Sequence, residues 1–192
     1  MYFYERILKG ELNMSERKLL HIENAEIVLK NFTGEEHIDR QTGKVVNTRG
    51  TRTFGVIIED PEMAQQMAED GWNIKILSPN EDHPEPKHFL PVEARYRNKD
   101  GSLKSPKFQP KVTRYCGRRV DELTEDTIHE LDEQRITKCE LVIGSNEWDP
   151  GRLKAFLNEM CVACEPRSSF RSKWDQEFGV DDGLDGEPEL PF

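Results

Sequence analysis

RYRNKDGSLKSPKFQPKVTRYCGRR, residues 95–119, sets nine Lys and Arg side chains against a single Asp100, in a chain of 192 residues whose net charge is −10. Two pieces of it read as strands, with a turn signal at Asn98-Lys99-Asp100-Gly101 after the first. Side chains alternate along an extended chain, so Arg95, Arg97 and Lys99 share one face of the first piece. In the second, Lys107, Lys111 and Tyr115 share a face, while Phe108 and Val112 point the other way. Tyr96, Phe108 and Tyr115 interleave with the cations. Charge suits phosphates and ring faces suit bases, so the pattern matches a polyanion with unpaired bases. A solvated hairpin whose edge is guarded by lysines fits the same residues.

Outward from this window the chain keeps to short strands and turns. Residues 89–97 lead into it as a strand. Residues 52–59, with Phe54, Val56, Ile57 and Ile58, form another. So do residues 72–77, where Trp72, Ile74 and Ile76 share one face and Lys75 and Leu77 the other. Between the last two sits a helix: Asp60 as N-cap, Pro61 at the first position, Glu62 at the positive end and Gly71 to stop it. Its stripe of Met63, Met67, Ala64 and Ala68 is core filling. Residues 19–32 read as a strand with a bulge near Asn24-Ala25. Residues 33–50, with Gly34, Gly43 and Gly50, read as a long loop whose far end, Lys44, Arg49 and Arg52, is positive.

Residues 78–87 are a Pro- and acid-rich loop. Residues 121–131, with Thr124 and Asp126 as start signals, predict a short helix exposing Asp121, Glu122, Glu125, Asp126 and Glu130. Residues 135–148 and 153–164 predict two long strands of one hairpin around Asn146-Glu147-Trp148-Asp149-Pro150-Gly151. The expected class is mostly β: a small closed or half-closed barrel with one or two short helices.

At this length one domain with appendages is the natural organisation. The chain is 33% charged and 35% apolar, so its core is modest. No run approaches the ~20 apolar residues of a membrane span, and the N-terminus lacks a secretory pattern. The expectation is a soluble, intracellular protein whose four cysteines are reduced thiols. Net acidity confines any nucleic-acid binding to a local basic patch.

Both ends differ from the middle. Lys9-Gly10-Glu11 ahead of Met14 has the coding pattern of a translated ribosome-binding sequence, so Met14 is the expected start and residues 1–13 an extension or leader. Residues 14–165 form the binding domain. Residues 166–192 are expected to be a disordered acidic tail, because glycine, proline and acid bury too little to offset the entropy of ordering. The tail carries Asp181, Asp182, Asp185, Glu187 and Glu189 and closes with Leu190, Pro191 and Phe192, a compact apolar and anionic ligand for a basic pocket on a partner.

That tip resembles the C-terminus of bacterial-type single-stranded DNA-binding proteins. A broader resemblance runs over roughly residues 19–165. Asn31-Phe32, Arg52-Thr53-Phe54, Asp60-Pro61-Glu62-Met63-Ala64-Gln65-Gln66, Asp70-Gly71-Trp72-Asn73 and Asn146-Glu147-Trp148 look like phage-encoded single-stranded DNA-binding proteins with an oligonucleotide-binding (OB) barrel. The resemblance implies an OB-like barrel that coats single-stranded DNA during phage replication or recombination, in the host cytoplasm. It also implies replication, recombination and repair proteins as partners of the tip. It supplies no contact residues.

The residues themselves supply candidates. Arg49, Arg52, Lys75, Arg95, Arg97, Lys107, Lys111, Arg114, Arg118, Arg119, Arg152 and Lys154 are the cations, and Tyr96, Phe108, Tyr115 and Trp148 the rings, of the expected single-stranded DNA site. Phe54, Trp72 and Phe156, flanked by apolar residues, are expected in the core. Cys161 and Cys164 point to opposite faces of a strand, so structural thiols are expected and no metal or other cofactor. No phosphate-binding glycine loop, nucleophile elbow or zinc-protease motif is present, so the chain reads as a binder and not an enzyme. RNA binding or strand annealing on the same barrel is the alternative. A metal-dependent nuclease at Glu81, Asp82, His83, Glu85 and His88 is a further one.

Overall fold

The computed structural model describes residues 19–38, 43, 45–79 and 84–165. The expected leader and the acidic tail lie outside the described residues. The strands are β1 (Leu19–Ile22), β2 (Ile27–Asn31), β3 (His37–Ile38), β4 (Val45–Asn47), β5 (Arg52–Ile58), β6 (Lys75–Leu77), β7 (Lys87–Ala94), β8 (Lys111–Cys116), β9 (Arg119–Leu123), β10 (Ile136–Asp149) and β11 (Arg152–Cys164). One α-helix, α1 (Pro61–Glu69), and two 3-10 turns, Pro106–Phe108 and Ile128–Asp132, complete the described elements.

Nine strands make one mixed sheet in the order β1-β10-β11-β7-β5-β2, with β6 added to β7, β8 to β11 and β9 to β8. The ladder is open, since β1 and β2 do not pair with each other. They are successive pieces of one chain all the same. Where one strand with a bulge near Asn24-Ala25 was expected, the chain breaks into two strands: Asn24 has φ 52°, Ala25 N–H donates to Cys139 O at 2.8 Å, and Ile57 N–H donates to Glu26 O at 3.0 Å. The chain thus leaves β10 and joins β5 within four residues, and the sheet curls round the core without a closed ring of ladders. This mostly β architecture is broadly consistent with an OB-like fold. Inside it, Phe32, Phe54, Val56, Leu90, Ile143, Met160 and Val162 are buried in one cluster with Met67 and Ala64 of α1.

α1 follows its sequence signals. The Asp60 carboxylate accepts from Glu62 N–H at 2.9 Å and Pro61 opens the helix. Gly71, at φ 93°, ends the turn against the tip of the β10–β11 hairpin, where Leu153 N–H donates to Gly71 O at 2.8 Å. A Cβ at Gly71 would fall on Gly151 O, so no other residue fits. The hairpin itself is as expected.

Other elements differ from expectation as well. Residues 121–123 belong to β9, paired with β8, and only Ile128–Asp132 coils, as a 3-10 turn. That turn is pinned by tertiary contacts. Ile128 and Leu131 are buried, Asp132 accepts from Phe32 N–H and Thr33 N–H at 2.8 and 2.7 Å, and Lys30 Nζ donates to Leu131 O at 2.8 Å. The loop 33–50 contains the small β3–β4 ribbon. The strand expected over 89–97 ends at Ala94, and the one expected to open near Phe108 begins only at Lys111.

Candidate nucleic-acid interface

The end of β7 creates the site. β11 pairs in parallel with β7 at Ala155↔Val92 and Phe156↔Glu93, then in parallel with β8 from Glu159↔Lys111 to Cys164↔Cys116. Between these ladders, at Leu157 and Asn158, that edge of β11 has no strand beside it. Residues 95–110 leave the sheet at this fork and return as β8. The gap is a groove of about 720 Å³, lined by Arg95, Lys107, Phe108, Lys111 and Phe156 together with neutral amides and one carboxylate, Glu159, beside Lys111.

Four side chains meet at its β7 edge, and two of them, Arg95 and Phe156, line it. On the outer face, Glu93, Arg95, Lys154 and Phe156 converge because β7 and β11 bring positions 93 and 156 side by side. Arg95 donates to both Glu93 oxygens, at 2.9 and 3.2 Å, and Lys154 Nζ stands 2.6 Å from the same carboxylate. The Arg95 guanidinium lies over the Phe156 ring, 4.4 Å from its centroid. Glu93 is only 9% exposed. Burial pushes its carboxyl up, but the hydrogen bonds and charges of Arg95 and Lys154 outweigh that and hold it below the usual range. On the returning side, Phe108 is 64% exposed, with Lys107 Nζ 5.8 Å from its centroid, and Lys111 is exposed at the start of β8.

The structure sorts the sequence-expected residues into groups. Arg95, Lys107, Phe108 and Lys111 meet in the groove, and Lys154 reaches its β7 edge through Glu93. Trp148 and Arg152, 5.7 Å apart as a cation–π pair, line a second cavity of about 350 Å³ at the hairpin tip, against Gly71 and Ile74. Tyr115 is exposed on β8 beside Val120, and Arg118 lies exposed in the turn that follows. Lys75 on β6 and Arg49 after β4 are exposed and line neither cavity.

Four expectations are corrected. Tyr96 is 2% exposed, its hydroxyl pushed up to about 12 chiefly by burial, and it presents no ring face. Arg114 is buried and held by Glu130 at 2.6 Å and Asp121 at 2.9 Å, the latter also taking Arg119 at 2.7 Å. Arg52 and Arg97 both bind Glu125, at 3.1 and 2.8 Å. Three of the five acids expected as a solvated helix face, Asp121, Glu125 and Glu130, are therefore partners of these arginines, which removes Arg114 and Arg52 as ready phosphate ligands. Phe156 is the converse case. Phe54 and Trp72 are in the core as expected, but Phe156 is half-buried at the β7 edge of the groove. The period of two in β11 carried that information: Ala155 and Leu157 point inward, so Lys154, Phe156 and Asn158 face outward.

All four cysteines are free thiols, and burial pushes Cys139 up to about 12. Among the described residues no group of three or more His, Cys, Asp or Glu could hold a metal ion. Of the residues that suggested a nuclease, Glu81, Asp82 and His83 lie outside the described residues. No described helix is long and apolar enough to cross a membrane.

A groove on a β-sheet that joins lysines, an exposed ring and neutral amides defines a class of surface suited to unpaired nucleic acid. The family comparison gives the particular assignment. Residues 12–157 match the family described as "Putative phage ssDNA-binding domain", and the chain belongs to that family. No curated protein and no solved structure is significantly similar to the chain.

Proposed function

We propose that the protein coats and protects single-stranded DNA during phage replication and recombination, in the host cytoplasm, without itself catalysing a reaction. The observation that carries the reading is the fork groove, in a chain whose family is a single-stranded DNA-binding domain. Lys107 and Lys111 take phosphates, Phe108 takes a base face, and Trp148 with Arg152 extends the track to the hairpin tip. A curled, OB-like sheet is an architecture that supports such a path. The acidic tail, with Asp181, Asp182, Asp185, Glu187 and Glu189 ahead of Leu190, Pro191 and Phe192, recruits replication, recombination or repair proteins and competes with DNA for the groove as an intramolecular polyanion.

Titration of fluorescent oligo-dT against a duplex of equal length tests the reading. Preference for the single strand, weakening steeply with salt, is expected. Equal binding of the duplex overturns it. Tighter binding of the matching RNA oligomer would transfer the site to RNA, and magnesium-dependent cleavage of the labelled strand would make the protein a nuclease.

A further inference from the structure

Arg95 is fixed in its pose. Its Nε and one terminal nitrogen both donate to Glu93, at 2.9 and 3.2 Å, while the guanidinium covers the Phe156 ring at 4.4 Å. Glu93 is anchored in turn, being 9% exposed and held by Lys154 Nζ at 2.6 Å. A guanidinium that spends its forked edge on a carboxylate cannot turn the same edge to a phosphate. What it still offers is three N–H donors and the flat face turned away from Phe156, and Arg95 lines the groove. Nearby, Gln109, Asn146 and Asn158 bring neutral amides to the wall. An amide carries a donor and an acceptor side by side, the pattern that pairs with a base edge. The cations that no described carboxylate holds, Lys107 and Lys111, stand on the returning side.

We propose that the fork contains a nucleobase subsite. A base stacks on the two-layer platform of Arg95 over Phe156, its edge meets the amides, and Glu93 is the residue that positions Arg95 for stacking. This rests on the reading that the groove takes single-stranded DNA, and it assigns the base to the β7 side and the phosphates to the β8 side.

The test uses the full chain and two ligands of equal length and charge: oligo-dT, and an oligomer of abasic tetrahydrofuran nucleotides. Affinity is read by fluorescence anisotropy over a salt series. Arg95→Lys keeps the charge and removes the plane. It is expected to weaken oligo-dT binding about tenfold, within the range of one lost base stack. It should leave the abasic oligomer and the salt slope unchanged. Equal losses on both ligands would make Arg95 a phosphate ligand held through its fork and overturn the proposal. No loss on either ligand, with the wild type still preferring single strands, overturns the subsite while the DNA-binding reading stands. A wild type that binds duplex equally well defeats that reading itself. Glu93→Gln, with folding checked by thermal melting, is expected to release Arg95 towards phosphate. The slope should then steepen by about 0.7 and the preference for oligo-dT over the abasic ligand should shrink. An unchanged preference refutes the positioning role of Glu93.

Discussion

Replacing Lys107 and Lys111 together by Gln separates charge that is available to a ligand from charge that is already committed. Both lysines line the fork groove, and among the described residues neither is held by a carboxylate. Each is thus expected to neutralise one phosphate. For single strands the salt slope falls by about 0.7 per phosphate, so the double variant should lose about 1.4 from it. Between 50 and 200 mM salt, a fourfold change, this makes the affinity deficit about sevenfold larger at the low-salt end. The control is Arg97→Gln, a cation from the same basic window. Its guanidinium is held by Glu125 at 2.8 Å and Gly101 O at 3.0 Å, so its slope should match the wild type. Anisotropy titrations of oligo-dT at four salt concentrations give all three slopes. A control that flattens as much as the lysine pair would show that sequence position, and not the ion pairing seen in the fold, decides which cations meet DNA.

Tyr96→Phe should leave DNA binding unchanged and stability equal or higher by thermal melting, because the buried hydroxyl has no hydrogen-bond partner among the described residues; a clear loss of stability would contradict this. Phe32→Ala, at the centre of the core against Phe54 with ring centroids 5.3 Å apart, should cost about 3–5 kcal/mol in urea unfolding. Stability should fall as pH rises above about 9, since burial pushes Cys139 from 9.0 up to about 12 and Tyr96 from 10.0 up to about 12. In that window the unfolded state ionises and the folded state does not, so each group makes unfolding up to about tenfold more favourable per pH unit. Cys139→Val should blunt the alkaline loss, which urea midpoints from pH 7 to 10.5 will show. Removal of residues 181–192 should leave oligo-dT affinity equal or higher at low salt, and weaker binding would count against competition by the tail.

What could be seen in the sequence was what neighbours along the chain decide. Asp60, Pro61 and Gly71 mark α1 because capping and backbone conformation are local, and Asn24-Ala25 marks an irregularity but not the change of partner from β10 to β5 that it makes. The 121–131 run misleads because its threonines and acids satisfy helix rules, while the pairing of β9 with β8 and the ion pairs to Arg114, Arg52 and Arg97 come from distant residues. Half of the site was legible in the same sense. Lys107, Phe108 and Lys111 stand out by composition. The alternation along β11 turns Phe156 outward, but its place beside Glu93 at the fork depends on β11 changing partners from β7 to β8, which no local pattern encodes. Tyr96 looked exposed for the same reason: alternation gives two faces and does not say which is covered.

Photocrosslinking of oligo-dT carrying 5-iodouracil, followed by peptide mass spectrometry, addresses the fork most directly. Crosslinks are expected at Phe108 and Phe156, on the two sides of the groove, with a weaker set at Trp148. Crosslinks confined to Tyr115, or to segments outside the fork and the hairpin tip, would place the strand elsewhere on the sheet.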